Sequence, residues 1–190
     1  VFHYAKADQH KVDYDVLKIR SETQAANAVL DLNTQELRIG GVPSIEFSAN
    51  QRVAMQPVED KVVLRADRNI DFDGRIFAGF SVLEGKDFHF DYDRFLVDLD
   101  SVRFFDLYVP TGELDENRQP VALSIDSRIE HLSGVLLIDA PSNKSGQENI
   151  PMFPSLQSKD YSYVFYDKES TQGGAYQRDS FYFQLEPFSF

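Results

Sequence analysis

The sequence predicts an all-β protein, an elongated antiparallel jellyroll or sandwich, with a right-handed β-solenoid as the alternative architecture. Three observations carry this. Apolar and polar residues alternate over short runs along the 190-residue chain. The runs are rich in Phe, Tyr, Val and Ile, which suit a pleated, half-buried surface. Gly-, Pro- and Asn-containing turn signals separate them at the intervals of a multi-stranded domain.

The alternation can be followed in order. Val12-Asp13-Tyr14-Asp15 opens it. Residues 21–28 begin like a helix capping box, but Ala26, Ala28, Leu30 and Leu32 continue with period two, which favours a turn leading into a strand. Gly40-Gly41-Val42-Pro43 reads as a turn. Ile70-Asp71-Phe72-Asp73, residues 88–93 and residues 96–100 alternate next, with Asp73-Gly74, Glu84-Gly85 and Pro110-Thr111-Gly112 read as turns between runs. Residues 111–119 read as a connection. Residues 141–158, with Pro141, Pro151 and Pro154, read as a long surface loop. The roughly 30 residues beyond it are too few for their own core and are expected to return to the main sheet. Phe181-Tyr182-Phe183-Gln184-Leu185 reads as the last strand. Residues 11–19 and 89–97 share an apolar-Asp-Tyr-Asp pattern, a weak internal echo.

Residues 1–190 are read as a single domain, and the start at Val1 without an initiator Met, with an apolar end that has no polar tail, is read as that of a piece excised from a longer protein. Hydrophobic residues make up 42% and charged residues 26%, a globular balance. Nineteen Lys and Arg against 31 Asp and Glu give a net charge of −12. That surplus argues against nucleic acid and against anionic membranes as partners, since both require clustered cations. No apolar run approaches the roughly 20 residues that span a bilayer. The absence of Cys removes disulfides, thiolate metal sites and a cysteine nucleophile.

Motifs that carry chemistry are few. Asn69, Asp71 and Asp73, followed by Gly74, place oxygens at alternate positions before a glycine, like the front half of a calcium loop. The acid expected at the twelfth position is replaced by Phe80, and Ile70 and Phe72 suit a strand. Calcium is therefore the one cofactor considered, and a solvated acidic strand is the competing reading. Asp87, Asp91, Asp93, Asp98 and Asp100 form a second acidic group, with Asp91 and Asp93 read onto one strand face. None of His3, His10, His89 and His131 sits in a zinc motif, although His89 is placed to pair with a neighbouring carboxylate. Neither a nucleophile elbow nor a phosphate-cradling loop occurs. The rings at 161, 163, 165, 166, 176, 181, 182 and 183 are the place to expect exposed aromatics.

Residues 29–32, 39–45, 56–57, 137–146 and 176–188 carry a resemblance to very long uncharacterised cell-envelope proteins of Bacteroidota type. The resemblance implies a segment of a large extracytoplasmic β protein, in the periplasm, at the outer membrane or on the cell surface, and supplies no catalytic residues. A more distant analogy is to the β-jellyroll bridges of lipopolysaccharide transport. The expected function is accordingly a non-catalytic structural or interaction module whose partners are neighbouring modules of the same chain. A module binding a glycan or acyl chain is the alternative, and a polysaccharide hydrolase with two facing carboxylates is the third reading.

Overall fold

A computed structural model describes residues 2–3, 17–23, 27–116, 118, 120–125 and 127–190. The alternating run at 12–15, His10 and most of the first copy of the internal echo lie outside the described residues. A short pair, β1 (Phe2–His3) and β2 (Lys18–Ile19), stands apart from one large antiparallel sheet. Its strands are β3 (Ala28–Asp31), β4 (Glu36–Ile39), β5 (Ile45–Ser48), β6 (Val53–Pro57), β7 (Val62–Leu64) and β8 (Ile70–Ala78). The sheet continues through β9 (Ser81–Asp91), β10 (Leu96–Leu114), β11 (Pro120–Ser124) and β12 (Ile129–Leu137). It ends with β13 (Ser155–Ser158), β14 (Ser162–Phe165) and β15 (Tyr182–Leu185). The main path runs β15-β14-β12-β10-β9-β8-β7-β4-β3 and does not close. Every ladder between described strands is antiparallel, whereas a right-handed solenoid stacks parallel strands. The fold is therefore all-β, of the broad sandwich class.

Period-two sequence produces this sheet because one face is hidden. On β8, Ile70, Phe72, Ile76 and Ala78 are buried, while Asp73, Arg75 and Phe77 face outward. Phe88 and Phe90 on β9, with Val97, Leu99, Val102 and Phe105 on β10, extend the same inner face into one core. Phe47 of β5 folds back over it, its ring 4.4 Å from Phe90 and 6.5 Å from Phe72. Each such buried ring contributes on the order of 1.5–3 kcal/mol.

The sheet forks at three strands. The first half of β8 pairs with β7 and its second half with β6. Likewise β10 pairs with β12 and then with β11, and β12 pairs with β14 and then with β13. Bulges mark the strands near these forks, between Phe72 and Gly74, between Val102 and Phe104, and between Leu99 and Val102. A bulge bends its strand and increases local twist. Their alignment across β8, β9, β10 and β12 folds the sheet along a transverse line.

Three turns expected from the sequence lie inside strands instead. Asp73-Gly74 and Glu84-Gly85 are not turns; they lie inside β8 and β9, with Gly74 opposite Gly85. A Cβ on Gly85 would stand 2.2 Å from the Ser101 carbonyl oxygen, and one on Gly74 would stand 2.2 Å from that of Gln56. The glycines serve close approach between strands rather than chain reversal. Pro110-Thr111-Gly112 likewise lies inside β10, at its exposed end.

Residues 141–158 form a 3-10 turn at Pro141–Asn143 and finish as β13, which pairs with β12. The turn is held by Asp139, a carboxylate only 1% exposed. It accepts hydrogen bonds from the Ala140 N–H at 2.7 Å and from the Asn143 side chain at 2.9 Å. The residues beyond 158 join the main sheet as β14 and β15.

Substituting Gly85→Ala is expected to lower unfolding free energy by about 1–3 kcal/mol, because a backbone oxygen must move. Gly40→Ala, whose Cβ would meet nothing nearer than 3.9 Å, is expected to change it by less than about 0.5 kcal/mol. Urea titration of the two variants checks this, and equal midpoints would contradict the close-approach reading.

Candidate functional site

The fold line produces a groove on the outer face of the sheet, with a volume of about 1230 Å³. Its course follows one cross-strand row. Gln56 on β6 faces Arg75 on β8, which faces Glu84 on β9, then Phe104 on β10 and Glu130 on β12. The row continues beyond the groove to Tyr163 on β14 and Gln184 on β15. Directly opposite residues of neighbouring strands share a face, so this row is one band of adjacent side chains. Bulge backbone at Gly74, Gly85 and residues 100–104 lines the floor.

Most of the band's charges are partnered. The Arg75 Nε donates to Glu84 Oε2 at 2.8 Å. Arg178 forks onto both oxygens of Glu130 and also reaches Asp167 at 3.2 Å. Hydrogen bonding to Glu130 raises the Arg178 guanidinium above its ordinary value, and Asp106 does the same for Arg128. Arg128 donates to Asp106 at 2.7 and 2.8 Å and lies 4.1 Å from the Phe104 ring centre, with Arg103 at 4.6 Å from the same ring. Among the described residues, the Lys86 and Asp100 side chains that line the groove make no ion pair. In all, four cations (Arg75, Lys86, Arg103, Arg178) meet four carboxylates (Asp73, Glu84, Asp100, Glu130).

Rings stand at the Glu130 end. Tyr163 and Phe165 are stacked at 6.0 Å, and the His131 ring meets both edge-on at 6.3 and 6.2 Å. Tyr182, opposite Phe165 in the ladder and 48% exposed, sits edge-on to Tyr163. Arg178 covers the Phe165 face at 3.6 Å. A second stack, Tyr176 on Phe181 at 4.4 Å, packs beside Tyr166. Of the aromatics singled out from the sequence, Tyr163, Phe165 and Tyr182 are gathered here, and Tyr166, Tyr176 and Phe181 form a cluster of their own.

The calcium candidates fall in the neighbouring part of the same face. The Asn69 Oδ1 accepts the Tyr92 N–H at 2.9 Å. Asp71 accepts from Arg65 Nε at 2.6 Å and lies 2.5 Å from His89 Nδ1. Asp73 Oδ1 accepts the Asp87 N–H at 2.8 Å across the bulge. Their oxygens thus engage protein donors, and among the described residues no group of three or more His, Asp or Glu is gathered as a metal site. The pairing expected of His89 is present, with Asp71. Asp91 and Asp93 do not share a strand face: Asp91 ends β9 and Asp93 lies in the following turn, paired with Arg68 at 3.0 Å. Asp98 faces outward near Lys159, 4.0 Å away.

Two carboxylates, Glu84 and Glu130, flank Phe104 at two strand spacings, roughly 10 Å between backbones. Each is engaged by an arginine, Glu84 by Arg75 and Glu130 by Arg178. Arg75, Glu84, Phe104, Glu130 and Arg178 carry no local sequence signal, because each comes from a different element. Compared with protein-family models, with curated proteins and with solved structures, the chain matches none.

Arg178→Met is expected to free the segment between β14 and β15 without disturbing the β8–β10 core. Amide hydrogen exchange over residues 167–181 should accelerate about tenfold. Unchanged exchange there would show that the Glu130 and Asp167 contacts do not hold the segment.

Proposed function

We propose that this chain is a non-catalytic structural and interaction module of a large extracytoplasmic protein, joined to neighbouring modules through its sheet edges. The observation that carries this reading is the state of the two ends of the sheet. The earliest and latest strands of the main path, β3 and β15, occupy opposite edges. Among the described residues, no strand pairs with the outer side of either.

Both edges display apolar side chains. Val29, Leu30 and Leu32 at the β3 edge are 69%, 55% and 80% exposed, and Phe183 on β15 is 56% exposed. Neither strand carries the Lys or Pro that commonly protects a free edge. Unpaired backbone groups flanked by exposed apolar residues favour addition of a further strand. Because the two edges differ, aliphatic at β3 and aromatic at β15, the pairing they favour is head to tail. A chain running through successive modules of this kind would present one edge to the next. The extracytoplasmic setting is supported by the sequence resemblance alone.

The paired variant Leu30→Lys with Phe183→Lys tests the reading by sedimentation velocity across about two decades of protein concentration. The unaltered chain is expected to show a mean mass that rises with concentration, and the variant to remain monomeric. A chain that stays monomeric throughout, or a variant that associates equally, would overturn it.

A further inference from the structure

We propose that the outer-face groove binds an extended, uncharged carbohydrate chain. The site lies on the face of the sheet and not at its edges, so this inference stands apart from the module pairing above.

Electrostatics favours a neutral ligand. The whole chain carries a net charge of −12, yet the groove balances four cations against four carboxylates. A site for a polyanion needs an excess of Lys and Arg, and one for a polycation needs an excess of acids. A balanced groove offers neither and repels neither. What it does offer is a dense set of hydrogen-bonding groups with fixed orientation. The Arg75–Glu84 and Arg178–Glu130 pairs hold planar guanidinium and carboxylate groups in place through hydrogen bonds. Lys86 and Asp100 supply a donor and an acceptor not used by ion pairs among the described residues. Hydroxyl groups, which both donate and accept, satisfy such a mixed surface.

The shape of the groove favours a polymer. A volume of about 1230 Å³ exceeds the roughly 300–1,000 Å³ of an ordinary small-molecule pocket. The groove also draws its lining from five neighbouring strands, β6, β8, β9, β10 and β12, and so extends across the sheet. This is the form that accommodates a polymer running across strands.

A shelf of rings stands at the Glu130 end. Tyr182 is half exposed and is fixed edge-on against Tyr163. Its ring is therefore held in place before any ligand arrives, and a sugar ring can stack its C–H face on such a platform at small entropic cost.

Affinity electrophoresis tests the proposal with gels containing, separately, galactomannan, xylan, mixed-linkage β-glucan and dextran, and with heparin and polygalacturonate as charged probes. The intact chain is expected to be retarded by at least one neutral polymer and by neither charged one. Two variants address the groove itself: Ser101→Trp, which fills the exposed floor, and the double variant Arg75→Gln with Glu84→Gln, which removes one pair of opposite charges and keeps the net charge. Ser101 and Arg75 are exposed and Glu84 is partly exposed, and a matching circular dichroism spectrum and melting temperature show that the fold is retained. Each variant is expected to weaken retardation about tenfold or more. Retardation by heparin or polygalacturonate alone, retardation unaffected in both folded variants, or no retardation by any neutral polymer would overturn the assignment.

Discussion

The structure depends on the close approach of backbones where Gly74 meets Gly85. At this pair, a strand carrying any side chain would push against the carbonyl of Gln56 or Ser101. Removing the side chains lets β6, β8, β9 and β10 crowd together while bulges absorb the mismatch in register. The consequence appears on both faces. Inside, the bent sheet wraps a continuous core in which Phe47, Phe72, Phe88, Phe90 and Phe95 pack as neighbouring rings. Outside, the same bend opens the groove.

Charge is arranged around this geometry. The acidic excess is spread over the outer face, where individual carboxylates find arginines or backbone donors: Asp71 with Arg65, Asp106 with Arg128, Asp91 with the Arg94 N–H. Exposed pairs of this kind contribute about 0–1 kcal/mol each, so their effect is mainly to orient side chains. Asp31 illustrates the point at the β3–β4 turn. The N–H groups of Asn33 and Thr34 hold its carboxyl below the usual carboxylate range and fix the turn that presents the aliphatic edge. The buried Asp139 works differently. Surrounded by donors and deep in the fold, it ties the 141–150 segment to the turn between β5 and β6 through Gln51 and Asn143.

The fold class was legible because burial on one face imprints period two directly on the sequence, as at Ile70, Phe72, Phe88, Phe90, Val97 and Leu99. The glycine dipeptides were legible as irregularities but not as to kind. Asp-Gly and Glu-Gly serve equally as turns or as bulged, tightly packed strand positions, and only the partner strand decides between them. The groove was hidden for a related reason. It takes one residue from each of several strands, so register, which no local pattern encodes, assembles it. The aromatic surface was visible because its rings cluster in the sequence between 161 and 183. His89 was visible because its partner acids are close in sequence, although the one that binds it, Asp71, comes from the neighbouring strand.

The central claim is that the sheet is bent by aligned bulges at these glycines. Nuclear Overhauser contacts between backbone protons of β9 and β10 test it most directly. With the bulge in place, Gly85 lies opposite Val102 while Glu84 lies opposite Phe104, and Arg103 is passed over. The account predicts cross-strand contacts from Glu84 to Phe104. Contacts from Glu84 to Arg103 in an uninterrupted ladder would contradict it, and with it the groove.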